Sequence, residues 1–173
     1  MKKTRTMVFM GLFVAMEVIL KGFLYYQPTP TLRFTFESVV IAISAIAFGP
    51  ILAGIGAVLT DIISYLLHPA GPFFPGLTLS AFLVGGIYGL ILYNKKVSLI
   101  RVVIAAAVVM VFIELGLNTF WLSMLYQKGV ILLFMQRLTK LFMLPVQVFV
   151  IYSVWRYAGK ELMKYFSRKK EAV

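Results

Sequence analysis

Long apolar runs broken by short polar or Pro/Gly-containing segments predict six helices. The first covers about residues 7–26 and is stopped by Gln27-Pro28-Thr29-Pro30, because proline lacks the N–H that would continue the ladder. The second, about 36–48, ends at Gly49-Pro50; at that length it spans only ~20 Å, so it is short or partly embedded. The third, about 51–67, is closed by His68-Pro69-Ala70-Gly71-Pro72. The fourth, about 75–93, opens on Pro75, a residue suited to a first turn, and runs into the polar loop Asn94-Lys95-Lys96. The fifth covers about 99–125 and the sixth about 134–157, with a bend expected at Pro145. No internal repeat, low-complexity stretch or domain boundary intervenes. The expectation is an all-α membrane protein, one integral domain over residues 1–173.

Composition narrows this further. Of the 173 residues 61% are hydrophobic, against about 45–50% apolar in a soluble globular domain, and only 13% are charged. Six spans of ~20 residues use ~120 residues, which leaves no room for a second soluble domain. The absence of cysteine excludes a disulfide-stapled secreted module.

The formal charge of +11 would suggest nucleic acid in a soluble chain. Here the basic residues sit at the chain ends and in one inter-helix loop, which reads as orientation and not as a nucleic-acid face. The start Met1-Lys2-Lys3-Thr4-Arg5 resembles a secretory signal. No small-x-small cleavage site follows, and Glu17 and Lys21 interrupt the apolar run, so it is read as a retained first helix. With six spans, Lys2, Lys3, Arg5, Lys95, Lys96, Arg101, Arg156, Lys160, Lys164, Arg168, Lys169 and Lys170 share a side with both termini. The other side receives Lys21, Arg33, Lys128, Arg137 and Lys140. That asymmetry places both termini in the cytoplasm of a multi-pass protein, and the bundle suits a bacterial cell membrane.

Four of the six acids, Glu17, Glu37, Asp61 and Glu114, fall in or at the edge of apolar spans. An ionised group at the bilayer centre costs about 2.5–3.5 kcal/mol, and such groups usually face a bundle interior and serve a purpose. Counted from the cytoplasmic ends, Asp61 lies ~15 Å in and Glu114 ~22 Å in. Asn118 and Trp121 share a helix face with Glu114, and Tyr65 and His68 one with Asp61. The sixth helix enters carrying Gln136, Arg137 and Lys140 within one turn, and Glu37 heads the second just after Arg33. These polar groups gather in the outer half of the bundle among Tyr65, Phe73, Phe74 and Trp121. One reading is an outward-facing cavity for a polar, partly aromatic solute. The other is a set of interhelical salt bridges, Asp61 or Glu114 with Arg137 or Lys140, that hold the bundle.

Glu17 stands one turn before Lys21, and an intrahelical pair explains it. His68, beside Pro69 at a helix end, reads as a loop residue, and one histidine without cysteine makes no metal site. No cofactor is implied. The chain carries no phosphate-cradling G-x-x-x-x-G-K-[ST], no H-E-x-x-H and no G-x-S-x-G, so it is not expected to hydrolyse ATP or to be an enzyme. It is small for the inverted repeats of many secondary transporters. A binding bundle without an engine suggests a subunit that borrows its motor. Gly11 and Ala15 form a small-x-x-x-small pair that serves either as a docking face or in internal packing.

Leu32-Arg33-Phe34-Thr35-Phe36, Phe48-Gly49-Pro50, Asp61 and the stretch HPAGPFFPGLTLSAFLVGGIYGL over residues 68–90 resemble substrate-binding S components of energy-coupling factor (ECF) vitamin transporters. Asn118-Thr119-Phe120-Trp121-Leu122-Ser123-Met124-Leu125-Tyr126, with Arg137 and Met143-Leu144-Pro145, resembles the folate-specific S component. The likeness covers about residues 7–160. It implies a six-helix S-component bundle with a vitamin site under the outer loops. It also implies assembly with a transmembrane coupling subunit (EcfT-type) and two ATPase subunits (EcfA-type), with Gly11 and Ala15 at the family's small-residue docking pair. The chain departs from many relatives at Glu37-Ser38-Val39-Val40-Ile41, where they carry a proline, and at Asp61-Ile62-Ile63-Ser64, which lacks a common glycine.

Folate chemistry fits the same residues. Glu37, Glu114 or Asn118 would meet the donors on the pterin edge, and Trp121 with Phe36 or Phe74 its face. Arg33, Arg137 and Lys140 would attract the anionic glutamate tail. Asp61, Tyr65 and Gln136 complete the expected set. The competing expectations are an S component for riboflavin or pantothenate, an intramembrane hydrolase using Asp61 and Glu114 as paired acids, and a purely structural membrane subunit.

Overall fold

The computed structural model describes residues 2–29, 31–69 and 71–159. Of the basic set above, Lys160, Lys164, Arg168, Lys169 and Lys170 lie outside the described residues, as do Pro30 and Ala70 and the side chains of Lys2, Lys3 and Arg5. Six helical runs and one hairpin make up the rest: α1 (Lys2–Gly22), β1 (Tyr25–Thr29), β2 (Leu32–Thr35), α2 (Glu37–Phe48), α3 (Pro50–Leu67), α4 (Pro75–Leu92), α5 (Leu99–Tyr126) and α6 (Val130–Tyr157).

Most boundaries follow the punctuation in the sequence. Pro50 and Pro75 sit in the first turns of α3 and α4, where a missing N–H costs nothing. Gly49 links α2 to α3 at φ 91°, a conformation open to glycine, and the Tyr93 ring lies 3.3 Å from where a Cβ would stand.

The first helix departs from expectation. It stops at Gly22, four residues early, because Tyr25–Thr29 and Leu32–Thr35 pair antiparallel, with Tyr25 opposite Thr35 and Tyr26 opposite Phe34. Aromatic and β-branched residues favour the extended pairing. The register breaks between Tyr26 and Thr29, where Pro28 has no N–H to give.

Two helices are irregular. The segment Val109–Leu117 of α5 is π-helical, a widened turn common at functional sites. In α6 the segment Leu138–Phe142 tightens to 3₁₀ just ahead of Pro145, which cannot donate to the carbonyl of Leu141.

The core centres on α2. Residues Val39 to Ile46 are all buried, wrapped by Phe13, Ala53, Ala57, Val84, Tyr88, Val102, Ala105, Val148 and Ile151 from the other helices. The second helix is short, as expected, and stands at the centre of the bundle, which explains why its sequence has no polar face. The tightest helix pair is α3 with α4, where a Cβ on Gly85 would lie 2.7 Å from the Ala53 backbone. Outside this core the large apolar side chains point outward. Met16 and Ile19, Ile55 and Leu59, Ile100 and Ile104, and Phe142 and Phe149 are all exposed. So much exposed apolar surface suits hydrocarbon and not water. Four helices, α3 to α6, are long and apolar enough to cross a membrane by length and composition.

Candidate binding cavity

A cavity of about 240 Å³ opens between the hairpin, the loop joining α3 to α4, and the adjoining ends of the helices. Two ionic clusters form much of its polar wall. In the first, Lys21 near the end of α1 donates to Asp61 Oδ1 of α3 at 2.7 Å and lies 3.4 Å from Glu37 Oε2 at the start of α2. Thr78 of α4 donates to Asp61 Oδ2 at 2.6 Å. Arg33 of β2 donates to the Lys21 carbonyl and lies 4.0 Å over the Tyr25 ring.

The second cluster belongs to α5 and α6. Glu114, on the π-helical segment, accepts from Arg137 Nη2 at 2.8 Å and Lys140 Nζ at 2.6 Å through one oxygen, and from Asn118 Nδ2 at 3.3 Å through the other. Arg137 is 3% exposed and also donates weakly to the Thr31 carbonyl between the two strands, at 3.4 Å. The Thr31 hydroxyl donates to Gln136 Oε1 at 3.2 Å, so the hairpin tip is tied to α6 twice.

Burial of these charges is tolerable because each is paired or hydrogen-bonded. The salt-bridge reading of the sequence is therefore correct for Glu114 with Arg137 and Lys140, while Asp61 pairs with Lys21 instead. Both clusters nevertheless line open space, so bridging and cavity formation coexist. Asp61 and Glu114 are each occupied by cations and hydrogen-bond donors and make no bond to one another.

Nine of the expected residues line the cavity: Arg33, Glu37, Asp61, Tyr65, Phe74, Glu114, Asn118, Arg137 and Lys140. Three do not. Gln136 stands behind the wall holding Thr31. Trp121 backs Phe74, with ring centres 5.6 Å apart, and a Cβ on Gly76 would meet both rings. Phe36 is 39% exposed outside the cavity, one residue beyond Thr35, which faces in.

Other residues join the wall beyond the expected set; of these the sequence placed Phe73 only among the neighbouring aromatics and read His68 as a loop residue. Glu17 is not paired with Lys21; it is buried and accepts from Thr60 at 2.8 Å, which frees Lys21 for the cavity. His68 ends α3 and lines the cavity with its ring 4.8 Å from that of Phe23. Phe73 stacks obliquely on Tyr65 at 5.2 Å, and Gly71, at φ 145°, lies close to the Tyr126 hydroxyl across the mouth.

Among the lining residues four basic side chains, Lys21, Arg33, Arg137 and Lys140, face three carboxylates, Glu37, Asp61 and Glu114. The surplus is one positive charge, beside the aromatic wall of Tyr65, Phe73 and Phe74. Of the eight buried side-chain polar atoms without a hydrogen-bond partner among the described residues, five belong to lining residues: Arg33, Glu37, Ser64, Asn118 and Arg137. Buried valences left open are costly, and a bound polar molecule would satisfy them. The arrangement can grip a flat, hydrogen-bonding, anionic solute. No cluster of His, Cys, Asp or Glu able to hold a metal occurs among the described residues.

Gly11 and Ala15 lie elsewhere, on the exposed face of α1, and nothing stands within 4 Å of a Cβ built on Gly11. Internal packing of that pair is therefore excluded.

Comparison with known proteins is consistent with these features. The family model described as ECF transporter, substrate-specific component, matches residues 5–155. A protein from Clostridium novyi (strain NT) named folate transporter FolT is 41% identical over 157 residues, covering 90% of this chain and 91% of the relative. A second folate transporter FolT, from Leuconostoc mesenteroides subsp. mesenteroides, is 29% identical over 156 residues, covering 86% and 83%. A solved structure described as FolT bound with folic acid matches with a TM-score of 0.82 at 34% identity, over 87% of this chain and 92% of the other.

Proposed function

Because the chain belongs to the family of substrate-specific components of ECF transporters, we propose that its cavity binds folate and that the loaded protein delivers it to the cytoplasm with an energy-coupling module. The observation that carries this reading is the cavity itself, where one surplus positive charge, open polar valences and an aromatic wall meet in a bundle otherwise built for lipid. Glu37 and Asn118 suit the donor-rich edge of the pterin. Tyr65, Phe73 and Phe74 suit its face, with Trp121 as a buttress behind Phe74. Arg33, Arg137 and Lys140 suit the anionic tail.

The chain works as a binding subunit in a bacterial cell membrane, six-spanning with both termini cytoplasmic. Its partners are a transmembrane coupling subunit of EcfT type and two EcfA-type ATPases, which supply hydrolysis. The exposed Gly11–Ala15 face of α1 permits close approach of a partner helix.

A thermal-shift series with folate, riboflavin and pantothenate on the purified protein tests the ligand. A ligand that binds only the folded state at 100 times its Kd stabilises by about 2.7 kcal/mol. The expected result is a concentration-dependent rise with folate alone, matched by the mass of the molecule that co-purifies. A rise with riboflavin or pantothenate and none with folate overturns the assignment.

A further inference from the structure

The hairpin across the cavity mouth has two unlike faces. Arg33 and Thr35 line the cavity, and Thr35 is paired with Tyr25, whose ring carries the Arg33 guanidinium. Successive strand residues point to opposite sides. Tyr26 and Phe34, a cross-strand pair, therefore turn outward, with rings stacked at 6.3 Å and 22° and Tyr26 70% exposed. Leu24 and Phe36, which follow on this register together at the open end of the hairpin, are both exposed.

A two-stranded hairpin is marginal by itself in water, and one that turns aromatic rings outward calls for cover. What covers it follows from its position. The exposed face of α1 runs through Leu12, Met16 and Ile19 to Phe23, one residue before Leu24. No charged residue lies between Gly22 and Leu32. The one cation of the hairpin, Arg33, is spent on the Lys21 carbonyl and the Tyr25 ring on the other face. Tyrosine and other aromatic rings with no nearby charge, set at the end of a lipid-facing helix, match the chemistry of the membrane–water interface.

We propose that the Tyr26–Phe34 face of the hairpin rests in the headgroup layer of the bilayer, so that the strap over the cavity is anchored on one side by lipid and on the other by Thr31 to α6. This holds whichever vitamin the cavity takes. The mouth is then not a free loop in water but a strap whose outer face is bound to the membrane surface.

The chain has no cysteine, so single sites can be labelled without removing any. Tyr26→Cys carries a nitroxide label in nanodiscs of phosphatidylcholine and phosphatidylglycerol, with Lys128→Cys, on an exposed position, as the aqueous reference. Collision rates are read with oxygen, which concentrates in lipid, and with a nickel chelate, which stays in water. The expected result is an oxygen-to-nickel ratio at Tyr26 several-fold above that at Lys128. Phe34→Cys, which repeats the reading from the other strand, serves if the first variant fails to fold. Equal ratios at the two positions, or a label at Tyr26 shielded from both reagents as in a protein–protein contact, overturn the proposal. The folate thermal shift on the same labelled sample keeps the two questions apart, since ligand binding with a wet label rejects the lipid anchor alone.

Discussion

Arg137 is the residue whose removal tests the cavity most directly. It is 3% exposed, donates to Glu114 Oε2 at 2.8 Å and reaches the Thr31 carbonyl at 3.4 Å, and its Nε has no partner. Arg137→Met keeps much of the apolar stem and deletes the guanidinium. Glu114 retains Lys140 at 2.6 Å, so the acid is not left alone, and the fold loses the bonds to Glu114 and to the Thr31 carbonyl, not a whole cluster. The ligand loses the buried cation that suits its carboxylates. A hydrogen bond to a charged group contributes about 1.5–3 kcal/mol, so loss of about 2–3 kcal/mol weakens folate binding roughly 30- to 150-fold. Arg137→Lys keeps the charge without the planar fork and should fall between. Titration calorimetry of the purified protein reads the affinity, and the unliganded thermal midpoint checks the fold. A Kd within about threefold of the parent in a well-folded Arg137→Met protein refutes the assignment of Arg137 to the anionic tail.

Gly71→Ala forces a side chain onto a residue at φ 145°, with the new Cβ 2.8 Å from the Tyr126 hydroxyl. A cost of about 1–3 kcal/mol is expected, read as a lower thermal midpoint together with faster folate release. Gly85→Val drives branched carbons into the Ala53 backbone, where even a Cβ would stand 2.7 Å away. It should destabilise by about 1–3 kcal/mol or more, and an unchanged melting curve would contradict the close α3–α4 contact. Gly11→Leu adds bulk where nothing stands within 4 Å, so folate affinity of the isolated protein should stay at the parent value while ATP-driven uptake by the complex falls severalfold. Equal uptake by the variant would remove this face from docking.

The helices were readable where proline or glycine joined them directly, as at Gly49-Pro50 and Pro75, but not at Pro28, which falls inside a strand. The hairpin was not, because Tyr25-Tyr26-Gln27-Pro28-Thr29 continues the apolar run and its partner strand is fixed only by pairing across a turn. Nor does any local pattern separate the π-helical Val109–Leu117 from ordinary helix. In the site, depth and helix spacing were enough to bring Asp61, Glu114, Asn118 and Arg137 to one cavity. Lys21 escaped because Glu17 stands one turn away and offers a local partner. The structure gives Lys21 to Asp61, forty positions along, and Glu17 to Thr60. Phe36 and Trp121 stand outside the cavity lining, at a strand end and behind the Phe74 ring, because such orientation depends on neighbours far away in sequence.

The brevity of α2 has a geometric consequence. Twelve residues of helix reach about 18 Å, whereas the hydrocarbon layer is about 30 Å thick. Beside α3 and α4, at 18 residues or about 27 Å each, it is the shorter post. Its first residue, Glu37, lines the cavity, and the ends of its neighbours supply the remaining charges. The floor of the cavity is thus set by where a backbone begins to coil, while the side chains around it decide only what is welcome there.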